Sequence, residues 1–215
     1  MEDRSERKRW RKGPLLAASL FLLAGAMALA VGVGLSMYFA PEEQVRMLAE
    51  LEVPSYVDVQ IIGIDGDSRR GVKLEGMEDV VIHYVGNPGT TAQQNHDWYE
   101  NPASEVSSHF LIGLNGEVIQ CVPLDEKSSA TNHRNADTIS IEVCHPDETG
   151  AFNEETYATL VELTAWLVKS CSLDTDHIIR HYDVTGKDCP RYFVQNEAAW
   201  AQFKADVAAE MENIE

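Results

Sequence analysis

Two residues near the C-terminal end of the chain, His181 and Cys189, belong to the segment RHYDVTGKDCP at positions 180–190. Imidazole nitrogen and thiolate sulfur are donor atoms that zinc prefers in proteins. Gly186 lies between them, and a glycine allows the loop to fold back so that both side chains reach one ion. The spacing is not a C-x-x-C pattern, so this segment taken alone indicates a metal site without defining one.

A third donor is His83, which interrupts the otherwise apolar segment VVIHYV at 80–85. A single histidine in such a segment is often a core residue that satisfies one hydrogen bond. Beside His181 and Cys189, it would instead complete three protein ligands and leave a fourth position for water, the arrangement of catalytic zinc sites. The pattern leaves both interpretations open, and the second predicts that the three residues meet in space.

Two charged residues fit a hydrolytic role beside such a metal. Glu142 lies within the apolar segment DTISIEVC at 137–144, where a charge is unfavourable unless it faces a functional site. Its carboxylate could accept the proton of an attacking water and later pass it to the leaving nitrogen. Lys187, two residues before Cys189, could place a positive charge where an oxyanion develops. The alternative for both residues is a solvent-facing charge at an edge of the fold.

The strands that must position these residues follow from the hydrophobic pattern. Apolar segments rich in β-branched residues predict strands at 57–64, 79–86 and 137–144. Two further apolar segments flank Asn115-Gly116 and predict a β-hairpin, because this dipeptide favours the tight turn between antiparallel strands. Residues 177–184 are expected to be short and extended.

Three helices are predicted from apolar residues at helical spacing and from capping residues. Thr91 is expected to cap the first helix and Asn153 the second. The predicted ranges are 90–101, 153–173 and 196–214. Together with the strands, they indicate an α/β domain with a central mixed β-sheet of about five strands, flanked by helices.

The N-terminal region differs in composition from the rest of the chain. Residues 1–12 carry six Lys or Arg and three acids, and 13–40 are 28 residues without a charge. A helix of about 20 apolar residues crosses a bilayer, so 13–40 is expected to be a transmembrane signal-anchor, with 1–12 cytoplasmic. A cleaved signal peptide is the alternative, because AMALA at 26–30 contains an A-x-A pattern, but the apolar segment continues past Ala30.

This interpretation predicts a single-pass cell-membrane protein whose domain faces the cell wall, or a secreted protein if the signal is cleaved. Residues 41–54 would be a stalk, 55–205 the catalytic domain, and 206–215 the end of the C-terminal helix and a tail. The formal net charge of −18 argues against nucleic acid as a partner held by charge.

The chain has four cysteines, all after the apolar segment. An extracytoplasmic location permits disulfides, and an even number suggests two of them. If Cys189 is a metal ligand, three thiols remain and at most one bridge can form. Cys144 shares a strand face with Glu142, so it either lines the site or is a small buried apolar residue. The four are Cys121, Cys144, Cys171 and Cys189.

Four segments of the chain, taken in order, resemble the zinc-dependent N-acetylmuramoyl-L-alanine amidases, most of all those of Gram-positive bacteria. The same group contains phage amidases and animal peptidoglycan recognition proteins. The resemblance covers residues from about 55 to 205 and implies the mixed α/β fold of that family. The segments are VVIHYVGN, VSSHFLIGLNGEVIQCVP, DTISIEVCHPD and RHYDVTGKDCP.

The resemblance implies a zinc ion as cofactor, with His83, His181 and Cys189 as its ligands. Asp188 is a rival ligand only if Cys189 is oxidised or turned away. Lys187 matches the lysine that stabilises the transition state in the bacterial and phage enzymes.

The same resemblance assigns the general base. Glu142 matches the catalytic glutamate of the bacterial branch of the family. Phage and animal members instead use a tyrosine, and its position here is Ser108. The missing tyrosine leaves Glu142 as the general base.

The implied activity is hydrolysis of the amide between the lactyl group of N-acetylmuramic acid and L-Ala of peptidoglycan stem peptides. The partners would be peptidoglycan, and the membrane through the N-terminal helix. His109, His133 and Asn95 are further candidates for contact with substrate. The alternatives are a module that binds peptidoglycan without cleaving it, a zinc peptidase that cuts within the stem peptide, and a structural protein tethered to the wall.

Overall fold

The computed structural model describes residues 40–64 and 66–214, which are built around a mixed sheet of six strands. The strand order is β1-β4-β3-β5-β2-β6. Neighbours β3 and β4 are antiparallel, and the other neighbouring pairs are parallel. The strands are β1 Val57–Val59, β2 Asp79–Tyr84, β3 Phe110–Ile112, β4 Val118–Gln120, β5 Thr138–Val143 and β6 Ile178–Arg180.

The described part of the chain also contains six α-helices and two short 3₁₀ helices. The α-helices are α1 Pro41–Glu50, α2 Ala92–Tyr99, α3 Glu154–Ser170, α4 His181–Thr185, α5 Arg191–Gln195 and α6 Glu197–Asn213. The 3₁₀ helices are Asn132–Arg134 and Thr175–His177. The α/β class and the mixed sheet with flanking helices are therefore confirmed, with six strands where about five were expected.

The two faces of the sheet pack against different helices because side chains alternate along each strand. On one face, Ile82, Phe110 and Ile141 are fully buried in a large core that includes residues of α3 and α6. On the other face, Leu111 and Ile119 belong to a smaller apolar cluster with residues of α2. The second face is the one that carries His83 and Glu142.

The predicted helix caps are present. The side chain of Thr91 accepts a hydrogen bond from the backbone N–H of Gln94, and the Gln94 side chain accepts from the Thr91 N–H. Asn153 Oδ1 accepts from the backbone N–H of Thr156 at 2.9 Å. These bonds satisfy backbone donors that the first turn of a helix leaves unpaired.

The predicted hairpin joins β3 and β4 through Asn115-Gly116, but its loop is longer than a two-residue turn. The backbone N–H of Gly113 donates to the Glu117 carbonyl at 2.8 Å, which closes the loop. Gly116 has a φ of +76°, and a Cβ there would lie 2.7 Å from Thr159 Oγ1 of α3. Glycine is therefore required both by the left-handed backbone and by the close approach of α3.

Residues 177–184 were expected to be extended throughout, and this prediction is wrong in its second half. Only Ile178–Arg180 form a strand, and α4 begins at His181. Asp183 explains the helix start, because its Oδ2 accepts from the Arg180 backbone N–H at 2.8 Å. Its other oxygen pairs with the Arg180 guanidinium at 2.9 Å.

The predicted localisation in a membrane is corrected. Across residues 40–64 and 66–214, none of the helices combines the length and the apolar character needed to cross a bilayer. The longest, α3 and α6, have 17 residues each and bury apolar side chains in the domain core. The segment 13–40, on which the transmembrane prediction rested, lies outside the described residues apart from Ala40.

Residues on either side of the predicted domain are also ordered parts of the packed structure. In α1, which falls in the segment expected to be a stalk, Leu48 is buried in the core. Gln44 Oε1, also in α1, accepts a hydrogen bond from the Met77 backbone N–H at 3.1 Å. At the other end, α6 continues without a break through position 205.

Candidate active site

Strand pairing brings His83 and Glu142 side by side. They lie directly opposite each other on the parallel neighbours β2 and β5. On the other side of β2, β6 pairs Arg180 with Ile82, so His181 follows at the level of His83. All three side chains therefore meet at the carboxyl ends of parallel strands, where α/β proteins commonly place their sites.

The loop after α4 returns Cys189 to the same place. Gly186 ends α4 with a φ of +75°, a left-handed conformation that glycine adopts without strain. The Tyr182 backbone N–H donates to the Cys189 carbonyl at 2.9 Å, which closes the loop. The buried thiol of Cys189 lies 3.9 Å from His83 Nδ1.

His83, His181 and Cys189 form a possible metal site, because their ligand atoms all lie within 4.8 Å of one another. The centroids of the two imidazole rings are 4.6 Å apart. His181 Nδ1 is buried and has no hydrogen-bond partner in the described part of the chain. An unpaired buried nitrogen next to a second imidazole and a thiol offers nitrogen and sulfur donors of the kind that zinc binds in proteins.

The protonation of these groups suits metal binding. Burial and the nearby Lys187 lower the pKa of His181 to about 4, and burial lowers that of His83 well below 6.5. Both imidazoles are therefore neutral near pH 7, as metal ligands must be. Burial and Glu142 raise the pKa of the Cys189 thiol to about 12. A bound cation would reverse this effect, because metal ions deprotonate a coordinating thiol.

Glu142 lies at the edge of this cluster, with Oε1 at 3.8 Å from His83 Nδ1. Its Oε2 is buried and accepts no hydrogen bond from any described residue. Burial raises the pKa of Glu142 to about 8, and the charge of Lys187 opposes that effect. A carboxyl group with a pKa near neutrality can both accept and return a proton in that range of pH.

The cluster borders a cavity of about 610 Å³. His181 and Lys187 contribute to its wall, and Lys187 is exposed there. Arg70 and Lys127 add further cationic groups to the lining, and Val106 adds an apolar one. Glu105 also lines the cavity, which thus offers charged groups of both signs and apolar surface beside the possible metal site.

Two of the three residues expected to contact substrate are buried and hydrogen-bonded within the domain, and their contact with substrate stays a prediction. His109 is fully buried, and its Nε2 donates to the Glu126 carbonyl at 2.9 Å. Its Nδ1 accepts from the Ser140 backbone N–H at 3.0 Å, so neither nitrogen is free. Asn95 is buried in α2, where its Nδ2 donates to the Thr91 carbonyl at 2.8 Å. Both residues support the fold.

His133 is exposed in the 3₁₀ helix, directly after Asn132. A contact between His133 and substrate stays a prediction. Asp188, the rival ligand, is exposed, and its Oδ2 accepts from Gln195 Nε2 at 3.0 Å. Cys189 points inward and is 1% exposed, so Cys189 and not Asp188 joins the two histidines.

The remaining cysteines are outside the cluster. All four thiols of the chain are free, and Cys144 is fully buried 3.6 Å from Asn95 Nδ2. Ser108, at the position where some relatives carry tyrosine, is also buried. Its hydroxyl donates to the Phe110 carbonyl at 2.8 Å. Neither residue offers a free polar atom toward the possible metal site.

Two residues that contact His83 and His181 were not predicted from the sequence. Thr131 Oγ1 lies 3.3 Å from His83 Nε2, and Asn132 Oδ1 lies 2.8 Å from His181 Nε2. Both belong to the polar segment ATNHRNAD, which has no periodicity and no metal-binding spacing. Only the three-dimensional structure reveals these contacts.

The part of the chain that carries this cluster matches a known protein family. A family model described as N-acetylmuramoyl-L-alanine amidase matches residues 75–192, a range that contains every residue of the possible metal site together with Glu142 and Lys187. The match spans more than half of the chain. The protein therefore belongs to the N-acetylmuramoyl-L-alanine amidase family.

Individual relatives come from Bacillus. The chain is 30% identical over 171 residues to the N-acetylmuramoyl-L-alanine amidase BlyA of Bacillus subtilis (strain 168), a match that covers 70% of this chain and 46% of BlyA. It is 29% identical over 157 residues to the amidase CwlL of Bacillus licheniformis, covering 65% of this chain and 43% of CwlL. The chain thus spans less than half the length of these curated relatives.

Solved structures share the fold. The catalytic domain of XlyA superposes with a TM-score of 0.62 at 22% identity, over 70% of this chain and 98% of that domain. The structure of PlyL gives a TM-score of 0.63 at 18% identity, over 72% of this chain and 98% of PlyL. The described part of the chain thus corresponds to nearly the whole of each of these structures.

Proposed function

We propose that the chain is a zinc-dependent amidase that hydrolyses the bond between the lactyl group of N-acetylmuramic acid and L-Ala of a stem peptide. The observation that carries this proposal is the meeting of His83, His181 and Cys189 beside Glu142 in a member of this family. Two imidazoles, a thiol and an adjacent carboxylate are the parts that a hydrolytic zinc site needs.

In this proposal, His83, His181 and Cys189 would hold the zinc ion. Zinc in that position would polarise the scissile carbonyl and lower the pKa of a water molecule toward about 7. The neutral state of both imidazoles supports the assignment, because neither must lose a proton before binding metal.

Glu142 is assigned the proton transfers. Its Oε2 has no competing partner among the described residues, so this oxygen is available to accept a proton from the attacking water. The raised pKa makes the carboxylate a stronger base than an exposed glutamate. The same carboxyl group would then donate that proton to the departing amine of L-Ala.

Lys187 is assigned the developing negative charge on the carbonyl oxygen. Its charge contributes to the lowered pKa of His83 and of His181 and opposes the raised pKa of Glu142. It also lies on the wall of the 610 Å³ cavity, where a stem peptide would be held. A positive charge aimed at an oxyanion stabilises the transition state more than the ground state.

Metal analysis of purified protein tests the ligand assignment. We expect one zinc per chain in the parent, and loss of most zinc in Cys189→Ser. Cys171→Ser is the matched control, because Cys171 is a free thiol at the end of α3 and outside the cluster. Equal zinc in Cys189→Ser and the parent would remove this ligand set.

A module that binds peptidoglycan without cleaving it is distinguished by the reaction products. The zinc-loaded parent is expected to release free amines of L-Ala from muramoyl peptides. Binding without release of these amines would exclude the enzyme, whatever the zinc content.

A further inference from the structure

Both histidines of the possible metal site are contacted by one short loop, residues 130–135, which we call the clamp loop. Thr131 Oγ1 contacts His83 Nε2 at 3.3 Å, and Asn132 Oδ1 contacts His181 Nε2 at 2.8 Å. The amide oxygen of Asn132 is an acceptor, so the ring proton of neutral His181 lies on Nε2. Nδ1 is then left as the lone-pair nitrogen, and it is the atom that is buried without a partner.

The clamp loop is itself firmly fixed. Asn135 Oδ1 accepts from the backbone N–H groups of Ala130 and Thr131, at 3.2 and 2.6 Å. The guanidinium of Arg134 donates to Asp79 at 2.7 Å and to Asp137 at 2.8 Å. Because Asp79 is the first residue of β2, these bonds tie the loop to the strand that carries His83.

Asn132 has an unusual backbone conformation for a residue with a side chain, with a φ of +57°. This left-handed region is unfavourable for most L-residues, and asparagine tolerates it better than others. Within the described residues, Ser172 is the other non-glycine residue with a positive φ, at +56°. The conformation at Asn132 directs its amide to His181, whereas Ser172 is exposed after the end of α3.

We propose that Thr131 and Asn132 are positioning residues that set the metal affinity of the site by fixing both imidazoles with Nδ1 toward Cys189. An oxygen bonded to the second ring nitrogen fixes the orientation and tautomer of a histidine ligand and raises its basicity. The inference rests on the proposed function, because it takes His83 and His181 to be metal ligands. One loop would thereby preorganise two of the three donors.

Zinc affinity of the full 215-residue chain tests the proposal, measured by competition with a chromophoric chelator. Asn132→Gly removes the amide but suits the left-handed backbone, so the metal-free protein should unfold in urea at the same concentration as the parent, or a higher one. We expect this variant to bind zinc 10- to 100-fold more weakly, the usual effect of removing such a partner.

Two further variants distinguish the effect of the Asn132 amide on zinc affinity from the effect of relieving backbone strain. Asn132→Asp keeps an oxygen facing His181 Nε2 and is expected to bind zinc at least as tightly as the parent. Ser172→Gly relieves the same backbone strain at a residue outside the metal cluster and the clamp loop, and should leave zinc affinity unchanged. If Asn132→Gly fails to fold, Thr131→Val and Thr131→Ser replace it. The valine variant should lose affinity and the serine variant should keep it.

The outcomes distinguish this inference from the proposed function. If the parent binds no zinc, both the ligand assignment and the positioning role of the clamp loop are wrong. If the parent binds zinc and both Asn132→Gly and Thr131→Val bind it equally well, the ligand assignment stands and the positioning role of the clamp loop is wrong. Weaker binding by Asn132→Gly with restoration by Asn132→Asp, at unchanged metal-free stability, supports the clamp.

Discussion

Replacing His109 by glutamine is expected to remove a pH-dependent part of the free energy of unfolding. His109 is fully buried, and its Nδ1 accepts a hydrogen bond from the Ser140 backbone N–H. A proton on Nδ1 would face that N–H group, so the folded chain favours the neutral ring. Burial accordingly lowers the pKa of His109 from 6.5 to about 4.

The direction of this change in stability with pH follows from proton binding. Between pH 6.5 and about 4, the unfolded chain binds a proton at His109 that the folded chain does not. Stability from this residue is therefore complete above pH 6.5 and is lost as the pH falls. The pKa difference corresponds to about 3 kcal/mol in total, of which about 2 kcal/mol is lost between pH 7 and pH 5.

The assay is urea unfolding at pH 7 and pH 5, followed by tryptophan fluorescence with a chelator present so that metal makes no contribution. Glutamine offers one acceptor and one donor in place of the imidazole, but it does not titrate. The parent should lose about 2 kcal/mol more than His109→Gln between the two pH values. His133→Gln, at an exposed position, should behave as the parent. Equal losses of unfolding free energy in the parent and His109→Gln would show that His109 does not contribute to this pH dependence.

Three other substitutions test the core and the proposed chemistry. Phe193→Ala is expected to lower the free energy of unfolding by about 3–5 kcal/mol in urea titrations, because the ring is 1% exposed and packs against Trp200 and Phe203. Glu142→Gln should lower kcat by about 10²–10⁴ without changing the zinc content measured by metal analysis. Lys187→Met should lower kcat by about 10²–10³ in the same assay, again with zinc retained.

Each of these three predictions has a contrary result. Trp98→Ala is the control for Phe193→Ala, because Trp98 is 50% exposed and its removal should change stability by about 0.5 kcal/mol or less. An effect of Phe193→Ala no larger than that control would refute the packing argument. Full activity in Glu142→Gln would place the general base elsewhere, and full activity in Lys187→Met would remove its role in stabilising charge.

Much of the fold could be predicted because its signals are local. Apolar β-branched segments marked β2 and β5, Asn115-Gly116 marked the hairpin, and Thr91 and Asn153 marked two helix starts. The strand order could not be predicted in this way, because the arrangement β5-β2-β6 depends on contacts between residues far apart in sequence. The extended segment at 177–184 anticipated β6 but not the start of α4, since Asp183 acts on Arg180 within a segment too short to show a period.

For the candidate site too, some residues could be predicted from local signals in the sequence and others could not. The proximity of His83 and Glu142 could be anticipated because a polar residue inside an apolar strand is conspicuous, and alternation puts both on the face opposite the main core. The burial of His109 and Asn95 was not predicted, because residue type reveals a polar group but not the buried partner that satisfies it. Asn132 gave no signal, because its role depends on a backbone conformation and a contact 49 positions away in the chain.

Mass analysis of the products from a defined muramoyl peptide tests the proposed zinc-dependent hydrolysis of the lactyl–alanine amide. The full chain would be stripped of metal, assayed, and assayed again after addition of one equivalent of zinc. We expect cleavage only with zinc. The products would be a free lactyl carboxylate and a peptide whose N-terminal residue is L-Ala. Zinc-loaded protein that leaves the substrate intact, or that cuts within the peptide and keeps the lactyl–alanine bond, would contradict it.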